Sequence, residues 1–316
     1  MWTVNFGIFF QRKILIMSIN TSSIHGRDHG ETWDVAALPD VMIEPLVRAT
    51  LLEDLGRAGD LTTNAIVPAS HRGRTALVAR QPGVVAGMDL ARVAFHLIDP
   101  AIRMEVRKPD GARIKPGDVI AMVEGNSRAT LTAERTALNF LCHMSGIASS
   151  TASIVDAIGD ARARIVCTRK TMPGMRIVQK YAVRVGGGSN HRFGLDDAVL
   201  IKDNHVAIAG GVAQAVRRAR AGVGHLVKIE LEVDTLQQLD EALELRVDAI
   251  LLDNMSVETM AEAVRRVDGR AITEASGRIT PQTAPDVART GVDLISIGWL
   301  THSVGVLDIG LDHEPS

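Results

Sequence analysis

The chain has 316 residues, 46% of them apolar and 23% charged, with a formal net charge of −2 and a sequence pI near 6.6. That length exceeds one typical domain and supplies ample material for a large core. Aromatic residues make up only 3% and there is no general basic field, so a base-stacking platform or nucleic-acid backbone binder is excluded.

The two cysteines, Cys142 and Cys167, lie in apolar stretches without CxxC spacing. This argues against a disulfide framework or a structural zinc site and suits a reducing cytoplasm. The opening MWTVNFGIFFQRKILIM is broken by Gln11, Arg12 and Lys13, which leaves it too short to cross a bilayer. It also lacks a secretory cleavage site, so no membrane partner is expected. SINTSSIHGRDHGET is polar and reads as disordered, so residues 1–35 are expected to be an extension without function, with Met17 as an alternative start.

LPDVMIEPLVRATLLEDL predicts a helix entered through a turn, and GRAGDLTTNAIVP a loop. The short runs TALVAR, GVVAG, MEVRK and GDVIAMVEG are separated by turn signals and predict a small sheet, with GARIKPGDVIAMVEG turning as a hairpin or barrel segment would. From Ala129 to Ile158 apolar residues recur at three- and four-residue intervals, which predicts a long helix. After Ala161 strand and helix patterns alternate. RIVCTRK, AVLIKDNH, LVKIELEV, DAILLDNM, AITEASG and DLISIG read as strands, with helices from about Leu236, from about Val257 and over TAPDVART. Strand ends at Glu232, Asp253, Ser276 and Gly298 are 21, 23 and 22 residues apart, near the shortest βα repeat. The pattern predicts a parallel, closed or nearly closed α/β barrel, whose reactive groups gather at the C-terminal ends of the strands.

Residues 161–205 carry nine cations (Arg162, Arg164, Arg169, Lys170, Arg176, Lys180, Arg184, Arg192 and Lys202) against Asp196, Asp197 and Asp203. A solvated basic face is one reading of such a run. The other is an anion site, favoured because Arg169, Lys170 and Lys202 flank expected buried strands, where an unpaired charge is costly. His191 and Arg192 follow GGGSN, whose glycines let backbone amides approach a ligand. Arginine pairs with planar carboxylates and lysine supplies a compact charge, so the mixture suits a ligand bearing carboxylates together with phosphates. Ser276, Gly277 and Gly298 stand before helices or loops, where amides suit phosphate, although ordinary turns would look the same. Glu232 and Asp253 could neutralise the cations, bind Mg²⁺ indirectly beside a polyphosphate, or stabilise positive charge on a sugar carbon. Glu230 alternates with Glu232, points the same way and ranks as a structural partner.

TRKTMPGMR, KYAVRVGGGSNHRFGLDDAVLIKDNH, IELEV, LLDNM, EASGRI and GVDLISIGWLTHS, with LLEDLGRAGDLTT and ERTALNFLCHMSGIAS upstream, closely resemble the quinolinate phosphoribosyltransferase family, in order from about Glu44 to Ser303. The resemblance implies an incomplete parallel α/β barrel (TIM-like, fewer than eight strands) over 146–303. It also implies an N-terminal α/β sandwich domain over 36–145, joined by about 304–316. The implied reaction joins quinolinate to phosphoribosyl pyrophosphate in NAD biosynthesis, giving nicotinate mononucleotide, pyrophosphate and CO₂. By the same resemblance, Arg135, Thr168, Arg169, His191, Arg192 and Lys202 hold the quinolinate carboxylates. Lys170, Ser276, Gly277, Gly298 and His302 contact phosphoribosyl pyrophosphate, and Lys170, Glu232 and Asp253 are catalytic, the two acids with Mg²⁺. The family works as homodimers or larger assemblies, and Arg135 is the residue expected to cross between subunits. Two positions depart from the family pattern: Met172 stands where a threonine is expected and Arg278 where glycine is usual. A related phosphoribosyltransferase acting on another acceptor, an aldolase with a Schiff-base lysine at Lys170 or Lys202 and a non-catalytic binding protein are the competing readings.

Overall fold

The computed structural model describes residues 35–313, so the extension expected over residues 1–35, apart from its last residue, and the final residues 314–316 lie outside the described residues. Helix α1 spans Asp40–Leu55 and buries Ile43, Val47 and Leu51, a four-residue rhythm on one face. GRAGDLTTNAIVP is not all loop. A short helix, α2 (Leu61–Ile66), forms where the Asp60 side chain accepts the Thr63 amide hydrogen at 2.8 Å, and that cap outweighs the poor intrinsic propensity of Thr and Asn.

Strands β1 (Arg72–Ala79) and β2 (Gly83–Val84), helix α3 (Met88–Ile98), and strands β3 (Arg103–Val106), β4 (Arg113–Ile114) and β5 (Val119–Asn126) follow. β5 pairs antiparallel with β1 and β3, while β4 pairs with β2. GARIKPGDVIAMVEG therefore makes no hairpin of its own, because its two strands serve different sheets.

Helix α4 (Ser127–Ile158) runs 32 residues from a cap in which the Asn126 side chain accepts the Arg128 and Ala129 amide hydrogens. Its buried residues, including Phe140, Leu141, Met144 and Ile147, belong to the core under the antiparallel sheet, whereas Ile154 and Ile158 belong to the core of the parallel sheet. One continuous helix thus contributes to both cores. Among the described residues no helix is long and apolar enough to cross a membrane.

Beyond α4, β6 (Arg164–Val166), α5 (Arg176–Val185), β7 (Val199–Ile201), α6 (Asp203–Ala209), α7 (Val212–Gly222), β8 (Ile229–Val233), α8 (Leu236–Glu244), β9 (Ala249–Asp253), α9 (Val257–Val267), β10 (Ile272–Ser276), α10 (Ala284–Arg289) and β11 (Leu294–Ser296) complete an alternating run. Strands β6 to β11 make a six-stranded parallel sheet in the order β6-β11-β10-β9-β8-β7. The free edge of β6 is met by the segment before His191: the Ser189 amide donates to the Ile165 carbonyl at 2.8 Å and the Cys167 amide to the Ser189 carbonyl at 3.2 Å. The result is an incomplete α/β barrel with fewer than eight strands, accompanied by a separate antiparallel sheet. The last strand, β12 (Ile309–His313), returns to pair with β1.

Gly146, in the middle of α4, lies against the backbone of Gly305 so closely that an added Cβ would fall 2.2 Å from the Gly305 carbonyl oxygen. Gly146→Ala is therefore expected to destabilise the fold by about 1–3 kcal/mol through overpacking against backbone, read as a lower urea midpoint at unchanged m-value.

Candidate active site

The C-terminal ends of the barrel strands open into a cavity of about 690 Å³. Strand register explains which side chains reach it. In β8, Glu230 and Glu232 share a face, and in β10 Glu274 and Ser276 do. Thr168, Arg169 and Lys170 follow β6, His191 and Arg192 lie on the loop beside it, and Lys202 directly follows β7 as the N-cap of α6. Asp253 ends β9, Ser276 ends β10 with Gly277 just beyond, and Gly298 and His302 flank the 3₁₀ turn Trp299–Thr301 after β11. Apart from Glu230 and Thr301, the residues named here line the cavity. Arg135 does not. It is exposed on α4, beside a different depression that includes Asp60, Leu61 and Leu131.

Three cationic groups stand out for what they lack. The Nε of Arg169 is buried and has no hydrogen-bond partner, and among the described residues no ion pair involves Arg169, Lys170 or Arg192. Burial, and after it the neighbouring charge of Arg169, pulls the Arg192 guanidinium below its ordinary value. One Arg192 nitrogen donates to the Ala198 carbonyl at 2.9 Å. Desolvated like charges with an unmet donor form a place where an anion is stabilised.

The loop carrying Arg192 is anchored from below by Lys180, whose side chain is fully buried. Its ammonium donates to the carbonyls of His191 at 2.8 Å and Arg192 at 3.0 Å and lies 4.9 Å from the centre of the Phe193 ring. Lys180 was one more charge in a basic run by sequence. Its place on an amphipathic helix gave no sign that it would be buried.

The opposite wall is acidic and glycine-rich. Glu232 accepts from Lys202, and Asp253 accepts from the Asn254 amide side chain at 2.6 Å. Lys202 is half exposed rather than buried, so its charge is met by Glu232 and water at the barrel mouth, not trapped in the core. Gly277 has φ +115, and a Cβ there would lie 2.5 Å from the Asn254 side-chain oxygen, so the turn admits only glycine. At Gly298 a Cβ would meet the Lys170 side chain at 2.8 Å, so this glycine makes room for the lysine. The Trp299 indole donates to the Ile279 carbonyl at 2.9 Å, tying the two glycine loops together. Arg278 has φ +48, the left-handed region; this backbone need accounts for the glycine expected there, and the arginine side chain is exposed at the cavity rim. Nothing in the structure explains Met172, which is exposed.

His191, Glu230 and Glu274 form a cluster that sequence reasoning only half found. His191 Nε2 lies 3.0 Å from Glu230 Oε2 and 3.6 Å from Glu274 Oε1. Glu274 could have been identified by the alternation that placed Glu230, since it stands two residues before Ser276. The three offer ligand atoms within 4.8 Å of one another, yet the histidine is not set up to bind a metal. Its Nδ1 accepts the Arg192 amide hydrogen at 2.7 Å, which leaves the neutral ring's proton on Nε2. Burial disfavours the charged imidazole, but the Glu230 hydrogen bond and the Glu274 charge outweigh it and raise the His191 pKa. Burial, then the Glu230 charge, pushes Glu274 up to about 7.

An incomplete α/β barrel whose mouth sets unpaired guanidinium groups against carboxylates and glycine turns defines an enzyme class acting on small, multiply anionic substrates. Comparison with known proteins narrows that class. Residues 60–145 match the model for the N-terminal domain of quinolinate phosphoribosyl transferase, and residues 147–312 the model for its C-terminal domain. The chain is 49% identical over 271 residues to the nicotinate-nucleotide pyrophosphorylase (carboxylating) of Mycobacterium leprae, covering 84% of this chain and 95% of the relative. It is 39% identical over 291 residues to the chloroplastic enzyme of that name from Arabidopsis thaliana, covering 86% and 83%. The crystal structure of NadC from Streptococcus pyogenes superposes with a TM-score of 0.85 at 41% identity, covering 89% of this chain and all of that one. The chain belongs to the quinolinate phosphoribosyltransferase family.

Glu274 sets a pH signature. Its folded pKa of about 7 exceeds the ordinary 4.5, so between those values the native state holds more protons than the unfolded state and stability falls as pH rises. Glu274→Gln removes that slope: urea midpoints measured across this window should decline less in the variant than in the parent protein.

Proposed function

We propose that the chain is a carboxylating nicotinate-nucleotide pyrophosphorylase. It transfers phosphoribosyl from phosphoribosyl pyrophosphate to quinolinate and releases pyrophosphate and CO₂, giving nicotinate mononucleotide for NAD biosynthesis. The observation that carries this reading is the buried, partnerless Arg169 Nε beside the desolvated Arg192 guanidinium. An acceptor with two adjacent carboxylates would satisfy both.

In this reading Thr168, Arg169, His191, Arg192 and Lys202 surround the acceptor, and Arg169 and Arg192 orient it by bidentate pairing. Lys170, with Ser276, Gly277, Gly298 and His302, takes the phosphate groups. The Lys170 amide donates to the Thr168 hydroxyl at 3.0 Å and its carbonyl accepts from the Thr301 hydroxyl at 2.6 Å, so its backbone is held from both sides. Glu232 and Asp253 favour the positive charge that grows on the anomeric carbon as pyrophosphate leaves. The acceptor nitrogen forms the new bond to that carbon, and the resulting cationic ring draws the electrons left when the adjacent carboxylate departs as CO₂; a proton then takes its place. Arg169 and Arg192 keep the ring aligned throughout, and positioning of this kind is worth up to about 7–11 kcal/mol.

The donor set suits a hard divalent ion: Glu232 and Asp253 offer carboxylate oxygens on one wall. We assign Mg²⁺ there through water, where it would neutralise charge on the departing pyrophosphate.

The active assembly is a homodimer or larger, with Arg135 supplied by the neighbouring subunit. Exposed Leu61 and Leu131, which line the same depression as Arg135, support it, because apolar side chains grouped in this way suit a covered surface. The two free cysteines suit a cytoplasmic setting.

The test is release of pyrophosphate and CO₂ from quinolinate plus phosphoribosyl pyrophosphate. Turnover is expected with quinolinate and not with nicotinate, and Arg192→Ala should lower kcat/KM about 10- to 100-fold. No release of CO₂, or equal use of nicotinate, contradicts the assignment. For the assembly, inactive Arg135→Ala and Lys170→Ala chains should regain activity when refolded together, because one site of each mixed dimer is then complete. No recovery would place Arg135 outside the partner's site.

A further inference from the structure

His191 has no ring nitrogen left for a substrate. Nδ1 accepts the Arg192 amide hydrogen at 2.7 Å, and Nε2 faces Glu230 at 3.0 Å. Glu230 is itself buried at the inward face of β8, directly before the strand end that carries Glu232. Two buried carboxylates, Glu230 and Glu274, beneath a site for an anionic acceptor would repel that ligand if they acted on it directly. They make sense as groups acting through the histidine.

We infer that Glu230 is a positioning residue for acceptor binding: it faces and accepts from the Nε2–H of His191, which leaves Nδ1 to accept the Arg192 amide hydrogen and fixes the backbone that aims the Arg192 guanidinium. Three further contacts hold the same two residues. Lys180 clamps the carbonyls of His191 and Arg192, and the Arg192 side chain donates to the Ala198 carbonyl. The loop is thus fixed from the amide side by a chain of Glu230, His191 and Arg192, and from the carbonyl side by Lys180. Glu274, with an oxygen that has no hydrogen-bond partner, stands 3.6 Å from Nε2 and backs the imidazole with a second carboxyl. The tautomer is the hinge of the scheme, since a proton on Nδ1 would meet the Arg192 N–H head on. This inference rests on the reading of the cavity as a quinolinate site, but the tautomer itself can be tested without substrate.

The experiment has two parts. Nitrogen chemical shifts of His191 in the ligand-free, full-length protein, recorded at a pH above the imidazole titration, should show Nε2 protonated and Nδ1 bare; a protonated Nδ1 overturns the inference whatever the enzyme's substrate. Glu230→Gln should raise KM for quinolinate about tenfold, the worth of one charge-assisted hydrogen bond, while kcat at saturation and KM for phosphoribosyl pyrophosphate hold. An unchanged KM for quinolinate, or an equal loss for both substrates, contradicts the positioning role. Absence of quinolinate turnover in the parent protein would instead refute the assigned reaction and leave the tautomer result to decide this proposal.

Discussion

The site depends on holding two guanidinium groups close together, partly out of water, without giving either a carboxylate of its own. Like charges in such a place destabilise the fold, and burial together with Arg169 pulls the Arg192 pKa down. The surrounding structure compensates by spending its acids elsewhere. Glu232 pairs with Lys202, Glu230 with His191 and Asp197 with the backbone amides of Phe193 and Gly194. Arg169 and Arg192 are left facing the cavity with binding capacity to spare. The arrangement trades stability for preorganised affinity.

The scaffold makes that arrangement possible through strand register. Parallel strands place alternate side chains inward, so one set of strand ends delivers cations from β6, β7 and the loop between them, and acids from β8, β9 and β10. The missing closure between β6 and β7 is where the segment containing His191 and Arg192 runs, hydrogen-bonded along the edge of β6. The gap in the barrel is therefore the place where the acceptor-facing loop is built.

Much of this was legible in the sequence. Lys202, Glu232, Asp253 and Ser276 could be placed at strand ends because short βα repeats leave little freedom in where a strand stops. What could not be read were contacts set by tertiary packing. Lys180 looks like any helical lysine until the helix is docked and its ammonium finds two carbonyls. Glu274 sits in a strand whose alternation was readable, but its partnership with His191 joins residues far apart in the chain. α2 was missed because one capping hydrogen bond decided it against weak propensity. Arg278 was recognised as unusual from its family resemblance, and only the backbone supplied the cause, a left-handed turn that any side chain enters under strain.

The central physical claim is that Arg169 and Arg192 together recognise two adjacent carboxylates. Calorimetric titration of the protein with quinolinate and with nicotinate measures it directly. Quinolinate should bind more tightly by about one to two orders of magnitude, the value of a second charge-assisted pair, and Arg169→Leu should erase most of the difference. Equal affinities for the two ligands, or a preference that survives the loss of Arg169, would contradict it.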